Sequence, residues 1–186
     1  MTGFVRLTEP GASAIAPSFD TPFAMLAECH RKVQAQCALL QRLVPYLAAH
    51  GVDQAAREAA ETVLRYFDLA APKHHADEEE DLFPALIESM AGSDAVCLHD
   101  IIAALGSDHE SLERRWSSIR VELLKVTAGV PVALDETEVY AFADQYAAHI
   151  AREEREVLPM AERLLSADAI EQIGRSMRRR RDEGRA

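Results

Sequence analysis

Two short segments of the chain carry residue types that bind divalent metal ions in proteins. One reads HHADEEEDLFP and spans residues 74–84, and the other reads HIAREEREVLP and spans residues 149–159. Five positions are identical between them, and each segment has a glutamate four residues after its first histidine. Residues four apart lie on the same face of an α-helix, so each segment would present an imidazole beside a carboxylate. Each segment therefore offers half of a metal site.

Each segment also has a further histidine at a similar distance before it. His30 precedes His74 by 44 residues, and His109 precedes His149 by 40 residues. The first half of the chain thus resembles the second half, as if one helical hairpin occurred twice. Each half would contribute two histidines and one glutamate to a dinuclear site. The predicted metal ligands are His30, His74, Glu78, His109, His149 and Glu153.

The chemistry of these ligands indicates which ions they would hold. Imidazole and carboxylate together suit borderline divalent ions such as iron, manganese and zinc. Two divalent ions bring four positive charges into a protein interior, where unpaired charge is costly. Glu78 and Glu153 offset two of these charges and can each span both ions, and a bridging oxo or hydroxo group could offset more. Six protein ligands leave coordination positions open, so a small molecule could bind there.

His75 and Glu79 offer a competing register one residue further along the first segment. Aligning the two segments on their closing prolines selects His74 and Glu78 instead. His75 is still a candidate, either as an additional ligand or as a hydrogen-bond donor beside the site. The other members of the acidic run 77–81 are expected to form a solvated face.

Four long helical patterns would position these residues. The first is expected from Pro22 to His50, and the second from Gln54 to about Met90 with a bend at Pro72. The third and fourth are expected over residues 93–127 and 135–165, and a short helix follows from Ser166. Apolar stripes flank the histidines at core spacing. Three aromatic members of these stripes could also wall the metal pocket: Phe67, Trp116 and Tyr146.

Length and composition agree with this helical pattern. The 186 residues suit one domain, glycine and proline are scarce, and nearly half of the residues are apolar. Long amphipathic helices joined by short connections predict an all-α, up-down-up-down four-helix bundle. We expect a flexible leader over residues 1–19, the bundle with its short terminal helix over 20–173, and a basic, solvated and frayed tail over 174–186.

The charge distribution argues against several classes of partner. The formal net charge is −11, and the last thirteen residues carry six arginines against one aspartate and one glutamate. The rest of the chain therefore stands at −15, which disfavours binding to nucleic acid or anionic membranes. A homodimer is compatible with the sequence but not required by it.

The cysteines and the hydropathy pattern indicate the compartment. Cys29, Cys37 and Cys97 are odd in number and have no CxxC spacing, so we expect small buried hydrophobic residues rather than disulfides or a thiolate zinc site. The chain has no signal-peptide pattern and no stretch of 18 apolar residues. These features predict a soluble protein, cytoplasmic in a bacterium.

The duplicated His-x-x-x-Glu motif, with one paired histidine upstream of each copy and Leu82-Phe83-Pro84 after the first, resembles the hemerythrin-like HHE cation-binding domain family. The resemblance extends over residues 20–165. It implies a four-helix bundle with a non-haem di-iron centre between the helices. The roles known in that family include oxygen binding, nitric-oxide or redox sensing, iron sensing, peroxide handling and iron–sulfur cluster repair.

Departures from particular members of the family narrow these roles. Oxygen-carrying hemerythrins have a second histidine where this chain has Leu105, and they end with an aspartate where it has Glu154. Both differences argue against oxygen storage. The cluster-repair proteins share the pattern of four histidines and two glutamates. They also carry a cysteine-containing N-terminal segment that has no counterpart in this sequence, which argues against repair.

Three functions are consistent with the sequence. The first is a non-haem di-iron protein that binds or senses dioxygen, nitric oxide or peroxide. The second is a di-iron redox enzyme that consumes peroxide; the Glu-x-x-His motif of ferritin-like oxidases is absent, because Ala71 and Tyr146 stand three residues before His74 and His149. The third is a metal-free helical module whose acidic surface docks a basic partner.

Overall fold

Helices account for nearly all of the described part of the chain. This computed structural model describes residues 17–90 and 94–183, with the side chains of 94–97 left out. The first rod is α1 (Pro22–His50). The second rod comprises α2 (Gln54–Leu69), α3 (Ala71–Ala76), the π-helical turn π1 (Asp77–Leu82) and α4 (Phe83–Ser89). The third rod is α5 (Asp94–Thr127). The fourth comprises α6 (Glu136–Arg152), the π-helical turn π2 (Glu153–Val157) and α7 (Leu158–Leu164), and α8 (Ala167–Asp182) follows it.

The four rods pack as a closed ring in which each contacts two neighbours. α1 packs against α2 and α6, and α5 packs against the same two helices from the other side. Short connections join consecutive rods, so neighbours run antiparallel. No β-strand occurs within residues 17–90 and 94–183. The predicted all-α four-helix bundle is confirmed.

Side-chain caps fix where several helices begin. The Asp53 carboxylate accepts the backbone N–H of Ala56, and the Ser166 hydroxyl accepts that of Ala169. Such caps satisfy backbone donors that have no partner in the first turn. α1 ends at Gly51, whose φ of +70° is a left-handed conformation that glycine adopts without strain. These boundaries agree with the expected ones to within a residue or two.

Prolines interrupt the second and fourth rods at matching places. Pro84 and Pro159 are each the second residue of the helix that follows a π-turn. A proline donates no hydrogen bond, and its ring would clash with the carbonyl four residues earlier in a regular α-helix. The wider π-turn removes this conflict, and its backbone bonds run from Phe83 N–H to the Glu78 carbonyl and from Leu158 N–H to the Glu153 carbonyl. Both π-turns therefore begin at or next to a predicted glutamate ligand.

The hydrophobic core is divided into two clusters. One cluster takes its residues from the C-terminal part of α1, from α2, from the second half of α5 and from α6. The other takes its residues from the start of α1, from the first half of α5, from α4, α7 and α8, and from the π-turns. The predicted ligands lie between these clusters along every rod. A polar layer thus crosses the bundle between two apolar ends.

The terminal helix corrects the expectation of a solvated, frayed tail. α8 continues to Asp182, and Arg180 and Arg181 both bind the carboxylate of Asp77, which is fully buried in π1. Arg180 also binds Glu80 and Asp81 at the surface of π1. An unpaired carboxylate inside the protein would be costly, so these ion pairs hold the end of α8 against the bundle. Only residues 184–186 of the tail lie outside the described part.

The segment before α1 packs on the same helix. A Cβ atom placed on Gly174 of α8 would lie 2.0 Å from the carbonyl oxygen of Phe19, so only glycine permits this approach. The Phe19 ring lies under the guanidinium groups of Arg178 and Arg181. Residues 17–19 of the expected leader therefore belong to the packed structure, and residues 1–16 lie outside the described part.

Two of the three cysteines can be placed. Cys37 is buried, as expected, whereas Cys29 is half-buried, and both are free thiols. The side chain of Cys97 lies outside the described residues. Among the helices described, none is both long and apolar enough to cross a lipid bilayer.

Candidate metal centre

The six predicted ligands meet in the polar layer, and each is at most 4% exposed. They form two overlapping groups in which all ligand atoms lie within 4.8 Å of one another. One group contains His30 and His74 from the first two rods, and the other contains His109 and His149 from the last two. Both groups include Glu78 and Glu153. The hairpin symmetry inferred from the sequence is therefore present in the arrangement of the side chains.

Each glutamate divides its two oxygens between the groups. Glu78 Oε1 lies 3.4 Å from His74 Nε2, and Glu78 Oε2 lies 3.4 Å from His109 Nε2. Glu153 Oε2 lies 3.2 Å from His30 Nε2, and Glu153 Oε1 lies 3.4 Å from His149 Nε2. Two donors that share an ion at about 2.0–2.2 Å each would stand roughly 3 Å apart. This spacing would suit two neighbouring ions, with Glu78 and Glu153 each offering one oxygen to either histidine pair.

The hydrogen bonding within the layer also fits bound cations. His30 Nε2, Glu78 Oε2 and both carboxylate oxygens of Glu153 are buried without a hydrogen-bond partner. Buried polar atoms without partners are rare, because each costs the free energy of its lost hydration. These atoms point at one another across the layer, where imidazole nitrogens and carboxylate oxygens suit iron, manganese or zinc. The donor set therefore fits a pair of divalent ions.

Without metal, one histidine of each group holds a proton. Burial opposes protonation of His30, but its contacts with Glu153 and Glu78 outweigh burial and raise its pKa to about 10. His109 behaves in the same way: burial opposes its protonation, yet Glu78 and Glu79 raise its pKa to about 9. The protonated Nε2 of His109 can donate to His149 Nε2, which lies 3.0 Å away. These two protons partly replace the positive charge that bound metal ions would supply.

The other histidine of each group is neutral. Burial lowers the pKa of His74 to about 4, and the neighbouring charges of His30 and His109 act in the same direction. Burial, followed by the charge of His109, lowers the pKa of His149 to about 3. Burial and the nearby charge of Glu78 raise the pKa of Glu153 to about 7. Neutral imidazoles are ready to bind metal, whereas His30 and His109 must first lose a proton.

Two of the histidines are hydrogen-bonded through Nδ1 to carboxylates that were not predicted from the sequence as partners of the site. His109 Nδ1–H donates to Glu79 at 2.6 Å, and His30 Nδ1–H donates to Glu154 at 3.1 Å. Hydrogen-bonded carboxylates of this kind orient a ligand imidazole and make it a stronger donor to metal. Asp108 lies 3.6 Å from the Nδ1 atom of His149, which is beyond hydrogen-bond distance. The sequence does contain an indication of the two glutamates. They are identical in the duplicated segment, where each directly follows the candidate ligand glutamate.

His75 lies beside the centre, outside both ligand groups. Its ring stacks on that of His109, with centroids 4.0 Å apart and an interplanar angle of 12°. Its Nε2 atom is 3.4 Å from the hydroxyl oxygen of Tyr146. Burial and the neighbouring His109 hold the pKa of His75 well below its usual range, so the ring is neutral. Aligning the two segments on their prolines therefore selects His74 and Glu78, which are the residues that the structure places in the ligand groups.

The remaining candidates lie in the core or at the surface. Phe67 and Trp116 pack against each other in the hydrophobic cluster on one side of the layer. Tyr146 belongs to the same cluster but also reaches His75. His50, at the end of α1, and His99 are exposed. Of the three aromatic residues considered as pocket walls, Tyr146 is therefore the one that the structure places beside the ligands.

Comparison with known proteins agrees with the geometry. Residues 21–161 match the sequence model of the family described as the hemerythrin HHE cation binding domain. A protein of Haemophilus influenzae, described as uncharacterized, is 35% identical over 177 residues, which cover 95% of this chain and 98% of the relative. The family match and the buried histidine–glutamate clusters together suggest a metal-binding protein. The chain belongs to the hemerythrin HHE cation-binding domain family.

Proposed function

We propose that this protein holds two non-haem iron ions in the polar layer and uses them to bind or sense a small molecule, namely dioxygen, nitric oxide or peroxide. The observation that carries the proposal is the division of each glutamate between two histidine pairs. Glu78 has one oxygen at His74 and the other at His109, and Glu153 is shared between His30 and His149 in the same way. A mononuclear site would not need two shared carboxylates.

The residues divide between the ions as the geometry suggests. His30 and His74 would hold one ion, His109 and His149 would hold the other, and Glu78 and Glu153 would bridge them. Bound iron would supply open coordination positions and accessible redox states for a diatomic or peroxidic ligand. The protein side chains orient the ions, exclude bulk water and, through Glu79 and Glu154, support two of the imidazoles.

The burial of the centre favours a small ligand over a large substrate. All six ligands are nearly fully buried, and apolar clusters close the bundle on both sides of the layer. Of the histidines around the centre, His75 is the one that is only half-buried. A molecule of two or three heavy atoms could enter beside it, whereas a larger substrate would have to separate the helices.

The proposal is tested by loading the protein with iron under anaerobic conditions and titrating it with nitric oxide, dioxygen and hydrogen peroxide. We expect at least one of them to change the absorption spectrum saturably. The change should be lost in Glu78→Ala, which removes a residue shared by both histidine pairs, and in His149→Ala, and it should be kept in His99→Ala, which alters an exposed histidine. An iron-loaded protein that responds to none of the three would contradict the proposal. Repeated consumption of peroxide, lost with the same ligands, would identify the enzyme alternative instead.

A further inference from the structure

The two halves of the centre have different neighbours at symmetry-related positions. His75 follows His74 directly, and the corresponding residue after His149 is Ile150. Tyr146 stands three residues before His149, and the corresponding residue before His74 is Ala71. The half that contains His109 therefore has a polar pair beside it, whereas the positions related by symmetry hold only hydrocarbon.

The polar pair is built into the half that contains His109 and His149. The His75 ring lies flat against the His109 ring, with a centroid distance of 4.0 Å. The centroids of His75 and His149 are 6.4 Å apart. The Tyr146 hydroxyl is within hydrogen-bond distance of His75, and the Tyr146 side chain is almost fully buried. A buried tyrosine hydroxyl whose hydrogen bond is long, at 3.4 Å, can donate to a better acceptor.

The other half is apolar and covered. Ile150 and Ala71 are 1% and 3% exposed and belong to one hydrophobic cluster. On the outer side of this half, α8 packs against α1 and π1. There Arg180 and Arg181 close onto the buried carboxylate of Asp77. A ligand that carries partial negative charge would find no hydrogen-bond donor among Ile150 and Ala71.

We propose that the exogenous ligand binds in the half formed by His109 and His149, against His75 and Tyr146, and that this pair donates a hydrogen bond to the ligand. The inference rests on the proposed function, because it presupposes a metal-bound small ligand. A neutral imidazole and a phenol each carry one donor. If His75 and Tyr146 share a hydrogen bond, one of their two donors is used in it. The other donor can then point at the ligand. The ligand class is therefore a small molecule or anion whose outer atom accepts a hydrogen bond.

The test uses azide as a probe on the iron-loaded full-length protein. Its affinity is measured from the absorption change on titration, and the iron content of every variant is measured alongside. Tyr146→Phe removes the hydroxyl and keeps the ring, so we expect two irons per chain and a dissociation constant for azide raised roughly threefold to tenfold. His75→Leu should weaken azide binding at least as much. Ile150→Val changes the residue that corresponds to His75 in the other half, and should leave the dissociation constant within about twofold of wild type.

The outcomes separate this inference from the function on which it rests. If the wild-type protein takes up no iron, the proposed function fails. If the wild type binds two irons and azide, and both Tyr146→Phe and His75→Leu bind azide as tightly as it does, the inference alone is overturned. Loss of iron from His75→Leu would identify His75 as a metal ligand and would also overturn its assignment as a hydrogen-bond donor. A weaker response to Ile150→Val than to Tyr146→Phe supports the assignment.

Discussion

The two halves of the candidate centre share one pattern of ligands but have opposite charges at the residue just before each bridging glutamate. In the first half this residue is Asp77, which is fully buried and bound by two arginines of α8. In the second half it is Arg152, whose side chain is 39% exposed and reaches Asp108 at 3.5 Å. The ligand positions obey the hairpin symmetry, whereas the charged residues around them do not.

This difference distinguishes the positions that the metal site requires, which are the same in both halves, from the neighbouring positions, which can vary. A glutamate four residues after a histidine lies on the same face of the helix, so this spacing lets both side chains reach one site. The neighbouring position faces away from the ions and can hold either charge, provided that the charge is paired where it is buried. In the first half α8 packs over π1, whereas in the second half the corresponding residue, Arg152, is partly exposed.

The largest effect is expected from removing a shared ligand. Glu78→Ala should reduce the iron content to near zero, because the residue contributes an oxygen to both histidine pairs. His74→Ala removes a ligand from one pair only, and His149→Ala does so in the other, so each should retain about half of the iron. Iron analysis after gel filtration measures these contents. Glu78→Ala with the iron content of His74→Ala would show that the carboxylate serves one ion and not two.

The second prediction concerns the protonation of the metal-free protein, in which each half should contain one histidine with a raised pKa and one with a lowered pKa. Histidine signals in NMR spectra should include two with a pKa far above 6.5, from His30 and His109. Three should lie below it, from His74, His75 and His149. Variants at each position assign the signals. The raised pair favours folding below about pH 6.5, and that stabilisation is lost as the pH rises towards 9–10, since the unfolded histidines release their protons earlier.

The midpoint temperature of thermal unfolding of the metal-free protein should accordingly decrease as the pH is raised from about 6.5 to 10. Iron affinity should rise over the same window, because His30 and His109 must lose their protons to bind metal. A metal-free protein in which all four histidines titrate near pH 6.5 would contradict the electrostatic account of the layer.

The third prediction compares the two residues of opposite charge. Asp77→Asn should destabilise the protein by about 2–4 kcal/mol, because it leaves Arg180 and Arg181 largely buried without their shared countercharge. Arg152→Gln should change stability by less than about 0.5 kcal/mol, since that side chain is partly exposed. Urea unfolding of the metal-free variants measures both changes. A loss of less than about 0.5 kcal/mol for Asp77→Asn would show that α8 does not depend on Asp77 for its docking.

The smallest effect is expected from the carboxylates behind the histidines. Glu79→Ala and Glu154→Ala should each weaken metal binding by about tenfold, the lower end for such partners, because both side chains are half-exposed. The loss should be larger for Glu79, whose contact with His109 is 2.6 Å against 3.1 Å for Glu154 and His30. Competition with a chelator measures the affinities. Glu110→Ala, an exposed neighbour of His109, is the matched control, and an equal loss there would refute the supporting role.

The clustering of the six candidate ligands could be predicted from the sequence because two local rules bring them together. Helical periodicity places His74 and Glu78 on one face, and the duplication in the second half, with Pro159 in the place of Pro84, selects the register. The position of His75 could not be derived in the same way. A residue one step further along a helix points about a quarter turn away, and only packing against α5 shows that it stacks on His109.

The docking of the C-terminal helix could not be predicted, because its partners are remote in the sequence. Asp77 stands in an acidic run that is typical of a solvated face, and its arginine partners lie 103 and 104 residues further along the chain. The π-turns have a partial signal in the prolines, which indicate a disturbance of the helix but not its form. Glu79 and Glu154 are indicated more strongly by the sequence, since they are identical in the two segments. Their role as hydrogen-bond partners of His109 and His30 could not be predicted, because it depends on contacts between different rods.

The central claim is that Glu78 and Glu153 bridge two ions, and the most direct test is the number of irons bound per chain. The full-length protein is loaded with ferrous iron under anaerobic conditions, excess metal is removed, and iron and protein are quantified in the same sample. We expect two irons per chain, with one lost in His74→Ala or His149→Ala and both lost in Glu78→Ala. A wild-type chain that retains one iron or none would contradict it.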